Sequence, residues 1–139
     1  MNSKKLFIDT SAWILSFKRN SDSEVRERIK KAILTDQVVI TESVILELIQ
    51  GCKSESEKKR LRMDLENLEL LEINKQVWEQ AYGLAYNLRR KGITIPTIDL
   101  LIAALSLAYD CSLLHNDHHY QMIADYYQEL DQIPFEKFK

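Results

Sequence analysis

Thr94-Ile95-Pro96-Thr97-Ile98-Asp99-Leu100-Leu101-Ile102-Ala103-Ala104-Leu105 is the stretch on which the fold of this 139-residue chain turns. Pro96 keeps the residue before it out of the α region, Thr97 is placed to cap a helix, and Ile98 to Leu107 is almost unbroken in apolar residues. Such a helix is buried nearly all round. Asp99 falls in its first turn, at the dry, electropositive N-terminal end. Compensation of the helix dipole accounts for a lone acid there. Chemical use of Asp99 requires partners from other parts of the chain.

On the C-terminal side of this helix, Cys111 to Leu114 reads as a short strand and His115-Asn116-Asp117 as the turn that ends it. A helix follows near Tyr120 to Tyr127, and Ile133-Pro134-Phe135 either adds an edge strand or simply packs. On the N-terminal side, Asn74 can cap a long helix whose Val77, Trp78, Ala81, Leu84, Ala85 and Leu88 form a stripe, with Gly92 as its stop. Leu68 to Ile73 alternates as a third strand. Ser54-Glu55-Ser56-Glu57 is a capping box for a helix through Asn67.

The first half repeats a strand–helix step. Lys4 to Ile8 reads as a buried strand ending in Asp9-Thr10-Ser11, with Ala12 to Phe17 continuing at helical spacing. Ser21-Asp22-Ser23-Glu24 resembles a capping box and opens a charged helix with Val25, Ile29, Ala32 and Ile33 on one face. Val38-Val39-Ile40 is a second strand, and Thr41-Glu42-Ser43 starts a helix through Gly51 that carries Glu47 away from its apolar face. Alternation from end to end predicts an α/β fold, a single domain over 1–139 with a central short-stranded parallel sheet flanked by helices on both faces. In that sheet Asp9 and Asp117 end strands on one edge, where ligands bind in such folds, and Asp99 and Glu47 can face the same cleft. By themselves these residues also read as caps, turn residues or solvated acids.

Hydrophobic residues make up 45% and charged residues 29%, which excludes disorder as the main state. The formal net charge of −2 gives no overall attraction for polyanions. The basic runs Arg26 to Lys31, Lys58 to Arg62 and Arg89 to Lys91 read as solvated helix faces, and Trp78, Tyr82 and Tyr86 as packing residues. Two cysteines, Cys52 and Cys111, make no disulfide framework and fit a reducing compartment, so a cytoplasmic location is expected. No segment approaches the roughly 18 apolar residues of a membrane span. His115, His118 and His119 with the cysteines fit no common zinc spacing and read as surface or rim residues.

In their order and spacing, Phe7-Ile8-Asp9-Thr10-Ser11, Val44-Ile45-Leu46-Glu47-Leu48, Thr97-Ile98-Asp99-Leu100-Leu101-Ile102-Ala103-Ala104 and Leu113-Leu114-His115-Asn116-Asp117-His118-His119-Tyr120 resemble the PIN-domain ribonucleases. Within them the chain resembles the VapC-like toxins of type II toxin–antitoxin pairs, over nearly its whole length. The resemblance implies a PIN-like α/β fold and a Mg²⁺- or Mn²⁺-dependent endoribonuclease, a hydrolase of RNA phosphodiester bonds. Asp9, Glu47, Asp99 and Asp117 correspond to the family's acidic cluster, with Asp9, Asp99 and Asp117 as metal ligands and Glu47 orienting or deprotonating the attacking water. Thr10, Ser11 and Thr97 occupy supporting positions. The implied partners are an RNA substrate, a cognate antitoxin and a second copy of the chain in a homodimer. Hard divalent cations do favour carboxylate oxygens, and clustered acids repel one another without one. Where many relatives have a hydroxyl residue before the last acid, this chain has His115, and only one acid stands in that motif.

Two other classes compete. An Asp-based phosphatase could use Asp9 as nucleophile, but the usual second acid two residues on is Ser11 here. A receiver-type phosphoryl acceptor lacks the neighbouring acid pair. A PIN-fold RNA- or protein-binding module without catalysis would need none of the four acids, all of which are present.

Overall fold

The computed structural model describes residues 4–139. Along the chain run β1 (Leu6–Ile8), α1 (Thr10–Ser16), α2 (Ser23–Leu34), β2 (Val38–Ile40), α3 (Glu42–Gln50), α4 (Glu55–Leu65), β3 (Glu69–Leu70), α5 (Lys75–Arg90), α6 (Thr97–Ala108), β4 (Ser112–His115), α7 (His118–Ala124) and β5 (Gln132–Pro134), ending in a 3₁₀ turn at Phe135–Lys137. The five strands form one sheet in the order β3-β2-β1-β4-β5, every neighbouring pair parallel. Parallel neighbours need crossover connections, and helices supply them on both faces, as the alternation predicts.

β1 is central because it is apolar throughout: Leu6, Phe7 and Ile8 are buried, as are Val38 to Ile40 of β2 and Leu113 to His115 of β4 beside it. Phe7 pairs with Val39 on one side and Leu113 on the other. From β1 the chain steps outward to β2 and β3, then returns to the other side of β1 for β4 and β5. The strand order therefore reverses between β1 and β4. Ligands of open α/β sheets lie at the carboxyl ends of the strands at such a reversal.

α6 packs against α5 and keeps Leu101 to Ser106 buried without a break. The cap differs from expectation. Pro96 occupies the N-cap position, Thr97 is already helical, and no side chain caps this end. Thr97 is exposed. At α2 the capping side chain is Asp22, which accepts from the backbone of Glu24 and Val25, one residue later than the capping box predicts. Ser54 and Asn74 cap α4 and α5 as expected, accepting from the N–H of Glu57 and Val77.

Three helices end in a left-handed residue that turns the chain toward the next element. Gly92, at φ 78°, follows α5. Asp36 and Asp110, at φ 59° and 54°, play the same part after α2 and α6, each followed by a backbone N–H that bonds back into the last turn. Asp tolerates this conformation better than most side chains, so the two non-glycine turns are sterically reasonable.

Several element boundaries shift, β1 starting at Leu6 and α4 ending at Leu65 among them. The third strand is only Glu69–Leu70, both exposed, because it is the sheet's edge and has one partner. β4 extends to His115, which becomes a ladder residue and not part of the turn. α7 begins at His118, immediately after Asp117, and ends at Ala124.

Candidate active site

Four acids reach the carboxyl edge of the sheet by different local routes. Asp9 follows β1 directly, its backbone N–H still donating to Leu114 O at 2.9 Å, and its side chain caps α1. Asp117 follows β4 by two residues and caps α7, accepting from His119 N at 3.0 Å. Both residues therefore do serve as helix caps, and the cap geometry is what aims them at the edge. Asp99 arrives in the first turn of α6. Glu47, mid-way along α3, is held by the Thr10 hydroxyl, which donates to Glu47 Oε1 at 2.7 Å.

Asp9 is 5% exposed and its oxygens are well supplied with donors. Ser11 gives its hydroxyl to Asp9 Oδ2 at 2.7 Å and its backbone N–H at 3.2 Å. The same Ser11 oxygen accepts from Asn116 N at 2.9 Å, which ties the end of β1 to the turn after β4 across the strand-order reversal. The Tyr120 hydroxyl donates to Asp9 Oδ1 at 3.0 Å. Tyr120 is completely buried, and burial together with the charges of Asp9 and Asp99 pushes its phenol far above the ordinary range, so it acts here as a fixed donor.

The cluster's charges are felt most at Asp99. Burial, then a hydrogen bond and the charge of Asp117, then the charges of Asp9 and Glu47, push the Asp99 carboxyl up from 3.8 to about 8. Asp117 goes the other way: burial raises it, but the His119 N–H, the Asp99 hydrogen bond and the nearby His119 and His118 together hold it below the ordinary carboxylate value. The pair divides one proton unequally, as closely spaced carboxyls do. No lysine or arginine among the described residues forms an ion pair with any of the four acids.

The histidines are not all rim residues. His115 is 2% exposed. Its Nδ1 accepts from Asp117 N at 3.1 Å, which leaves the proton on Nε2 to be donated to Gln132 Oε1 at 2.6 Å. That neutral tautomer braces the turn carrying Asp117. His119 places Nδ1 3.0 Å from Asp99 Oδ2 and 2.9 Å from Asp117 Oδ1, and only His118 is largely exposed. Among the described residues Thr97 makes no side-chain hydrogen bond to the four acids, whose bonds go to Thr10, Ser11, His119 and Tyr120. Tyr120 and His119 were not singled out by spacing. The available signal was a tyrosine at the buried face of a short helix, whose hydroxyl must find a partner.

Asp9, Asp99 and Asp117 offer carboxylate oxygens, partly or wholly buried and lacking a fixed cationic partner, which is the donor chemistry of a hard divalent cation. Residues 6–126 match the family model described as PIN domain. The chain belongs to the PIN-domain family. Its fold is similar to VapBC-1 from nontypeable Haemophilus influenzae, at TM-score 0.77 and 22% identity over 95% of this chain and 98% of that one. It is similar to the DNA-bound VapBC from Salmonella typhimurium, at TM-score 0.74 and 20% identity over 96% of this chain and 99% of that one. It is also similar to Mycobacterium tuberculosis VapC20, a sarcin–ricin loop cleaving toxin, at TM-score 0.58 and 15% identity over 85% of this chain and 94% of that one. A sequence comparison with curated proteins finds no significant match. No helix among the described residues of this PIN-domain chain is long and apolar enough to cross a membrane.

Proposed function

We propose that this PIN-domain protein is a Mg²⁺- or Mn²⁺-dependent endoribonuclease, the toxin of a toxin–antitoxin pair, acting as one domain over 1–139 in the cytoplasm. The observation that carries the reading is the gathering of Asp9, Glu47, Asp99 and Asp117 at the strand-order reversal with no lysine or arginine among the described residues paired to them, at the cost of an Asp99 carboxyl pushed up to about 8. A fold bears such a cost more readily when a ligand relieves it.

Asp9 and Asp99 would hold the ion and Asp117 would contribute directly or through water. Bound there, a divalent cation supplies charge neutralisation at the phosphodiester and a water of lowered pKa. The chain's own residues do the rest. Ser11 and Tyr120 fix both oxygens of Asp9, and Thr10 fixes one oxygen of Glu47, leaving Glu47 Oε2 to take a proton from the attacking water. That water adds to phosphorus in line with the departing ribose oxygen, whose bond to phosphorus breaks and which takes a proton from solvent water as it leaves.

Two features favour an antitoxin partner. The structural relatives include VapBC assemblies. Beside Glu47 lies a groove of about 470 Å³ lined by Ile14, Phe17, Leu48 and Leu61, with Ile14 and Phe17 exposed. A basic antitoxin side chain entering the acid cluster would neutralise it in place of a metal, and a homodimer would set two such clefts in one particle. A cognate complex that cut RNA as fast as the free protein would refute the first idea.

The test is cleavage of a mixed transfer and ribosomal RNA pool in Mg²⁺, Mn²⁺ or EDTA by the parent and by folded Asp9→Asn and Asp99→Asn variants. Metal-dependent cleavage is expected, with loss on the order of 100-fold or more in either variant. RNA or protein binding that ignores metal and both substitutions, with no cleavage, would favour the catalytically silent binding module.

A further inference from the structure

Asp117, His118 and His119 each offer one ligand atom, and the three atoms lie within 4.8 Å of one another. His119 Nδ1 is 2.9 Å and His118 Nδ1 is 3.8 Å from the same Asp117 oxygen, and the two rings stand 4.2 Å apart at an angle of 35°. Asp99 Oδ2 lies 3.0 Å from the same His119 nitrogen. Around a tetrahedral ion with bonds near 2.0–2.1 Å, neighbouring ligand atoms are separated by roughly 3.4 Å, so these atoms need only side-chain adjustments to close on one ion.

The three residues are consecutive, which hides them from any motif built on ligand spacing. Their convergence comes from the start of α7. Asp117 folds back as the cap and brings its carboxylate over the first turn, where the two imidazoles lie side by side. His118, with a side chain 76% exposed, makes no hydrogen bond among the described residues and contributes nothing to the core. Its ring is free to turn toward an ion.

We propose that Asp117, His118 and His119 form a mixed nitrogen and oxygen cation site, which takes a borderline transition ion such as Co²⁺ or Zn²⁺ beside the all-oxygen pocket of Asp9 and Asp99. As a statement about the ion chemistry of the proposed nuclease centre, it rests on that reading. Imidazole favours the later first-row ions, whereas Mg²⁺ prefers oxygen and keeps its waters, so the two positions discriminate by ligand type. Three protein ligands leave coordination positions for water, the arrangement of a working site and not of a structural one.

The experiment is a Co²⁺ titration of RNA-free protein in excess Mg²⁺, followed by visible absorption, with His118→Ala and His119→Ala variants checked for folding by circular dichroism. The expected result is one Co²⁺ per chain, displaced by Zn²⁺ and not by Mg²⁺, with each substitution weakening it by about tenfold or more. Co²⁺ displaced by Mg²⁺, or His118→Ala binding within about twofold of the parent, would overturn the site; because His118 is exposed, that variant decides even if His119→Ala misfolds. A protein that binds Co²⁺ in this way but cuts no RNA would sink the nuclease reading and leave the cation site standing. Cleavage without Co²⁺ binding would do the reverse.

Discussion

At the amino edge of the sheet, Asp110 and Asp131 lie 3.2 and 3.4 Å from the Lys4 ammonium, Glu69 lies 3.5 Å from that of Lys5, and all these groups are substantially exposed. At the carboxyl edge, Asp9, Asp99 and Asp117 are more buried and are held by hydroxyls, backbone N–H groups, one imidazole and one another. The same functional group is thus neutralised locally at one edge and left uncompensated at the other. Solvent screens the amino-edge pairs, which are worth little to stability. Burial magnifies repulsion at the carboxyl edge, and the energy becomes available to a cation.

The largest difference between the edges is expected in their response to pH and metal. Asp99 is raised from 3.8 to about 8, so its proton favours the folded chain below the unfolded value, and that stability is lost as pH rises toward about 8. Lys4 is raised above 10.5, where burial is outweighed by the hydrogen bond to Asp110 and the charge of Asp131, so its contribution is lost only above the range in which Asp99 titrates. Thermal melts in EDTA are expected to fall between about pH 5 and 8, with Mg²⁺ raising the midpoint more at the upper end. Asp99→Asn should flatten this slope. A slope that persists in that variant would place its origin elsewhere.

A second comparison removes one support from each edge. Tyr120→Phe deletes the hydroxyl on Asp9 Oδ1 without opening a cavity, and is expected to cost about 1.5–3 kcal/mol if Asp9 is charged, measured by urea unfolding. An unchanged stability would mean that the hydrogen bond contributes nothing net. The smallest effect belongs to Lys4→Ala, expected to cost under about 1 kcal/mol and to shrink further in high salt. A loss comparable with that of Tyr120→Phe would break the contrast between the edges.

Much of this was legible because it is local. Ser54 and Asn74 stand in capping positions ahead of apolar stripes, Gly92 marks the end of α5, and β-branched Val38 to Ile40 reads as a strand whatever surrounds it. The helix-ending roles of Asp36 and Asp110 were not legible, since only backbone conformation distinguishes them from ordinary surface acids. Thr97 misled for a related reason: Pro96 can itself stand at the cap position, so the hydroxyl one residue later lies inside the helix.

The sequence by itself determined the α/β alternation and the caps at Ser54 and Asn74, because hydrophobic period, capping chemistry and turn preference act over a few neighbouring residues. It also placed Asp9, Glu47, Asp99 and Asp117 where the carboxyl edge of a sheet could use them. Only the tertiary structure decided that β1 lies between β2 and β4, that Tyr120 reaches Asp9 across 111 residues of sequence, and that Thr10 meets Glu47 across 37. It likewise buried His115 and turned His118 and His119 toward Asp117. Those contacts depend on which elements pack together and at what angle, and packing is set by the summed fit of distant surfaces, which no local pattern contains.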